Sequence, residues 1–204
     1  AAIGRGAAGA YGQKMASEYT KMQEIGGLIG RFLIAMALAA GLFRWGWTLR
    51  MFQIPGLILI PLLFWFFLRV ENHTFFEIPL EFGPGGPPYL GRIPVTTMSI
   101  GIFLVGLCTV AQLSFWGNYL PHVYPVHLRG TGESFAANIG GRLIGTFAAL
   151  LTWSLSGLLP FPDGPLKGPL QFSTAAAIVG TSIAAFGFCA SFWLQEPSPK
   201  AIED

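Results

Sequence analysis

Charge is what this sequence has least of. Only 11% of its 204 residues are Asp, Glu, Lys or Arg, and the net charge is +2, whereas soluble domains are roughly one-quarter charged. The few basic residues stand in links between apolar runs rather than in a stripe, which excludes the electrostatic footprint of a nucleic-acid-binding protein. Cysteine is scarce too: Cys108 and Cys189 both fall inside apolar runs, where a thiol acts as a small hydrophobe. There is no phosphate-cradling glycine loop with its lysine, no metal-ligand spacing, and no Ser or Cys nucleophile with a plausible base. The expectation is therefore a protein that is not an enzyme, with no catalytic residue, metal or cofactor. Single histidines in the links (His73, His122, His127) read as solvated, with pigment or haem ligation as the alternative. The first twenty-four residues lack a signal-peptide apolar core, which leaves open a processed chain or a part of a longer one.

What is abundant is apolar surface: 52% of the residues are hydrophobic and 14% aromatic. The runs are long enough to cross a bilayer, and the expected fold is all-α, a polytopic membrane helical bundle. Five spans are expected, at about 25–43, 51–68, 95–120, 132–159 and 171–194, preceded by a polar segment (1–24) and followed by a short tail (199–204). Pro55 and Pro61 are expected to kink the second span. Residues 69–94 carry Glu71, His73, Glu77 and Glu81 and then Phe-Gly-Pro-Gly-Gly-Pro-Pro, the composition of a turn-rich external loop. Arg44, Arg50, Arg129 and Lys200 are concentrated in short links on one side, so the positive-inside rule puts the C-terminus in the cytoplasm.

The fourth span organises the rest. Ala137, Gly141, Gly145 and Ala149 recur every fourth residue and form one ridge where a neighbouring backbone can approach closely. Arg142 lies about ten residues past the polar link, roughly 15 Å deep at 1.5 Å per residue. The first span has its own arginine, Arg31. For both, one reading is contact with an anionic solute or an intramembrane partner; the other is a structural arginine that bonds backbone carbonyls or snorkels. Gln112, Asn118 and Asn138 complete the candidate solute path. Trp116 reads either as lining of that path or, close to a span end, as an interface anchor, and Tyr119 as an interface anchor. Arg129 and Glu133, four apart at a helix start, are placed to pair. The run Ile25-Gly-Gly-Leu-Ile-Gly-Arg31-Phe is also similar to Ile139-Gly-Gly-Arg142-Leu-Ile-Gly-Thr-Phe, three spans later; one reading is chance similarity of Gly-rich membrane helices, the other an inverted repeat of three helices.

Together these segments resemble a known family. The link Tyr124-Pro-Val-His-Leu-Arg129-Gly-Thr-Gly is similar to the Pro-x-x-x-Arg-Gly-Thr-Gly link between helices ten and eleven of major facilitator superfamily transporters. Gly140-Gly-Arg142 matches the Gly-Arg that often follows, and Trp193-Leu-Gln-Glu196-Pro resembles the end of helix twelve. The resemblance covers most of residues 25–198 and implies the C-terminal half of a transporter, its five spans corresponding to helices eight to twelve. It also implies a cytoplasmic charge latch after helix eight, and here the chain departs. Arg44 and Gly46 match, but the acid position holds Phe43 and the later bases are Trp47 and Thr48. No carboxylate or imidazole suitable for a proton relay stands deep in a span. Two functions are compatible with these residues. One is a transporter half that moves a small solute only when paired with a second helical bundle; the other is a non-transporting accessory subunit packed within a larger membrane protein complex. In either case the partners are the lipid bilayer and other membrane helices.

Overall fold

A computed structural model of the chain describes residues 2–67, 69, 71–79, 92–164 and 166–197. The fold is mainly helical: α1 (Ala2–Ala39), α2 (Trp45–Pro61), α3 (Thr97–Thr109), α4 (Gln112–Val123), α5 (Arg129–Phe135), α6 (Arg142–Leu158) and α7 (Lys167–Ala190). These make five helical stretches long and apolar enough to cross a membrane: Gly12–Ala39, Trp45–Trp65, Thr97–Val123, Val126–Leu158 and Lys167–Trp193.

The purely helical expectation needs one correction. Strands β1 (Thr74–Pro79) and β2 (Arg92–Thr96) form an antiparallel pair with an irregularity between Thr74 and Phe76. Thr74-Phe-Phe-Glu-Ile and Ile93-Pro-Val-Thr are rich in the β-branched and aromatic residues that suit strands, a signal masked by the acids and the turn residues between them. That turn-rich run, 82–88, lies outside the described residues.

Helix limits differ from the sequence-based expectation in instructive ways. The first helix continues back to Ala2, because Gln13 to Glu24 contains no Pro and mostly good helix formers, so the polar segment joins the first span instead of standing apart. It stops at Ala39, where Gly41 turns the chain with φ +60°, a conformation that favours glycine. The second span starts at Trp45 rather than 51, and Pro61 leads into a π turn over Leu62–Phe67. In the third, α3 and α4 meet at Val110–Ala111, where Leu113 and Ser114 donate to carbonyls three residues back, the tightening typical of a 3₁₀ step.

Packing is led by α1 and α3, which run parallel and touch backbone to backbone. A Cβ added to Gly26 would overlap the Phe103 carbonyl, one on Gly30 the Leu107 carbonyl, and one on Gly106 the Gln23 carbonyl. Helices approach this closely only where side chains are absent. From α3 the contacts pass to α2, from α2 to α7, and from α7 to α6. The buried centre lies near one end: Ile34 of α1, Leu49 of α2, and Ala111, Phe115 and Tyr119 at α4, with Trp45 and Trp116 against them. Phe115 and Tyr119 stack with centroids 5.4 Å apart. Tyr119 is thus a core residue, only 5% exposed, and the interface-anchor reading is corrected for it.

The opposite end is closed by polar groups. Thr96 and Ser99 form a reciprocal cap at the start of α3, with bonds of 3.1 and 2.6 Å, an arrangement that satisfies two otherwise free amides. Asn72 accepts from the Met98 amide at 3.0 Å and donates to the Tyr19 hydroxyl at 3.3 Å, which ties α1 to the same junction.

The seam and the ridge predict opposite responses to one methyl group. Gly30→Ala is expected to lose about 1–3 kcal/mol through overpacking. Gly145→Ala, with nothing within 4 Å of the added Cβ, is expected to be neutral or to gain up to about 1 kcal/mol of helix propensity. Thermal unfolding of the purified chain in detergent, followed by circular dichroism, checks both; equal losses would contradict the seam.

Candidate functional site: a tied helix end, a polar cleft and an open ridge

The start of α2 is held by a carboxylate from far along the chain. Trp45 and Gly46 donate their backbone N–H groups to Glu196 Oε2 and Oε1 at 3.1 and 3.4 Å, and Arg44 Nε lies 3.3 Å from Oε1. A helix N-terminus has free amides and a positive dipole end, so an acid there caps the helix. One turn on, Arg50 donates to Ser191 Oγ at 3.2 Å and to the Ser191 carbonyl at 3.0 Å, with its guanidinium 4.0 Å over the Phe192 ring. Tyr119 adds a bond to the Gln195 carbonyl at 2.9 Å. The acid that meets Arg44 is Glu196, from the Trp-Leu-Gln-Glu-Pro run about 150 positions later. Of the residues placed in the link, Arg44 and Gly46 join this tie. Arg129 donates to the Tyr124 carbonyl at 3.3 Å, and Glu133 is half-buried on α5.

Behind the tie, α2, α4 and α7 enclose a cleft of about 430 Å³. Gln53, Thr109, Gln112, Trp116 and Ser191 line it among apolar residues. Of the five candidate solute-path residues, only Gln112 is there. Asn118 and Asn138 are exposed, and each bonds a carbonyl one turn back, Asn118 that of Ser114 at 2.7 Å and Asn138 that of Ser134 at 2.9 Å. Arg142 is exposed on α6. Arg31 is half-buried on α1, and its Nε is enclosed with no hydrogen-bond partner. Gln53 is a cleft residue that the sequence pattern did not single out, although a glutamine close to Pro55 in an apolar span was the available signal.

The fourth span is open. No residue from Val126 to Leu155 is buried, and a Cβ on Gly140, Gly141 or Gly145 would meet nothing within 4 Å. The similar glycines of α1 are closed against α3, so like segments have unlike surroundings. Arg142 has no counterpart in Ile25-Gly-Gly-Leu-Ile-Gly, and a π turn over Ala136–Gly141 precedes it.

Comparison of the chain with protein-family profiles, with characterised proteins and with solved structures finds no match.

Removal of the Glu196 carboxylate tests the tie. Glu196→Ala is expected to cost about 0.5–2 kcal/mol, as for a lost N-cap. Arg44→Ala, at a side chain 81% exposed, is expected to cost less than about 1 kcal/mol, as for a surface pair. Amide exchange at 45–48 should quicken in the first variant and hardly change in the second.

Proposed function

We propose that this chain is one helical bundle of a secondary transporter, similar to the C-terminal half of a major facilitator superfamily member, and that it moves a small solute only when paired with a second bundle. The tied end of α2 is then the cytoplasmic end, in keeping with the excess of short-link arginines. The observation that carries the reading is the open ridge Ala137, Gly141, Gly145 and Ala149. It has the composition of a close helix contact, yet none of the described residues covers its glycines. A cleft lined by glutamines gives the bundle a place for a solute, and α1 and the fourth span run in opposite directions, as two halves of an inverted repeat do.

A second reading, an accessory subunit within a larger membrane complex, is favoured by the cleft's lining. None of the described residues around it is an acid, a base or a histidine, so it lacks a group to couple solute to protons.

Purification from native membranes in mild detergent, followed by reconstitution, separates the two. The transporter reading expects a stoichiometric second helical bundle and solute uptake by the reconstituted pair, with none by the chain alone. Recovery within a complex of unrelated function would replace it by the accessory reading, and a stable lone monomer would contradict both.

A further inference from the structure

The geometry points to a ligand of defined chemistry: we infer that the cleft between α2, α4 and α7 binds a small uncharged solute that brings hydrogen-bond donors, with Gln53 as the residue that receives them. Gln53 is only 7% exposed. Its Nε2 donates to the Gly187 carbonyl at 3.4 Å, and its Oε1 is buried without any partner. Turning the amide over would set oxygen against oxygen at that contact, so the carbonyl of Gln53 is left as the orphan. An unmet acceptor in a low-dielectric interior is costly, and a ligand donor removes that cost.

The other polar groups are engaged in part. Gln112 donates to the Cys108 carbonyl at 3.1 Å, Thr109 to the Val105 carbonyl at 2.7 Å, and Ser191 to the Phe188 carbonyl at 2.7 Å. The hydroxyl hydrogens of Thr109 and Ser191 are thus committed to backbone oxygens, and Ser191 Oγ already accepts from Arg50. The acceptor capacity left is that of Gln53, Gln112 and Thr109, while each glutamine keeps one amide N–H and Trp116 its indole N–H to donate. No Asp, Glu, Lys, Arg or His is among the described residues of the lining, and the Arg50 guanidinium behind Ser191 is engaged by that residue and the Phe192 ring, so an ion would enter without a countercharge in direct contact, which disfavours it. The Trp116 ring supplies an apolar wall. Glycine keeps the space open: a Cβ on Gly187 would meet nothing within 4 Å, and one on Gly180 would reach Ile60 at 3.1 Å. The volume of about 430 Å³ falls within the range of small-molecule sites.

Binding here is independent of whether the chain pairs with a second bundle, so the test uses the purified full chain in lipid nanodiscs. Glycerol, sorbitol and acetamide are titrated beside glycerate, gluconate and glucosamine, with melting temperature and tryptophan fluorescence as readouts. At least one neutral compound should give a saturable response that its ionised counterparts do not. Gln53→Leu should weaken that response about tenfold or more, the loss of a buried hydrogen bond. Because it removes an unpartnered acceptor, it should leave the melting temperature equal or higher. Gly187→Leu, which fills the cleft and leaves Gln53 in place, should abolish the response too. Absence of saturable binding by all three neutral compounds would overturn the inference, as would equal binding of the ionised ones or full retention by folded Gln53→Leu.

Discussion

Contact between bare backbones at the α1–α3 seam is the constraint from which the rest of this structure follows. Lipid chains are as apolar as leucine, so membrane helices gain little from burying side chains against each other and associate by close packing. Gly26, Gly30 and Gly106 provide that closeness, each facing a carbonyl of the neighbouring helix. The pair so formed presents Ile34 and Ala111 to Leu49 of α2 and to Phe115 and Tyr119. Around this core α2, α7 and then α6 are added in turn.

Polar chemistry acts where helices end. Thr96 and Ser99 close the start of α3, and Glu196 closes the start of α2 across 150 positions of sequence. The Glu196 bonds fix the end of α7 beside Arg44 and Arg50. The cleft is bordered by the same two helices, and Gln53, about two turns along α2 from Gly46, forms part of its wall. Stability and site are linked through this geometry: the same α2–α7 contact that satisfies the helix start also frames the uncharged cavity.

Much of this architecture is legible in the residues. Apolar run lengths mark the five spans. Other features depend on partners remote in sequence. The early start of α2 follows from Glu196, which no local pattern near Trp45 reveals. The strands are hidden because acids and prolines outweigh a short β-branched signal in the link. Asn118 and Asn138 have the polarity of path residues, but helix phase turns them outward, where each bonds its own backbone. Phase also separates Gln112, which faces the cleft, from Asn118 on the same helix. Gln53 shows the converse, a polar residue that the packing of α7 makes central.

Two segments of similar sequence thus meet different fates, one with its glycines closed against α3 and one left bare along the π turn over Ala136–Gly141 and α6. Under the proposed pairing, the bare copy is covered in the membrane by another helical body. A photoreactive benzoylphenylalanine placed at Ala149 on the ridge, with Phe147 on the far side of α6 as control, tests this most directly in native membranes. A protein adduct from Ala149 and lipid adducts from Phe147 are the predicted result. Lipid adducts alone at both positions would contradict it.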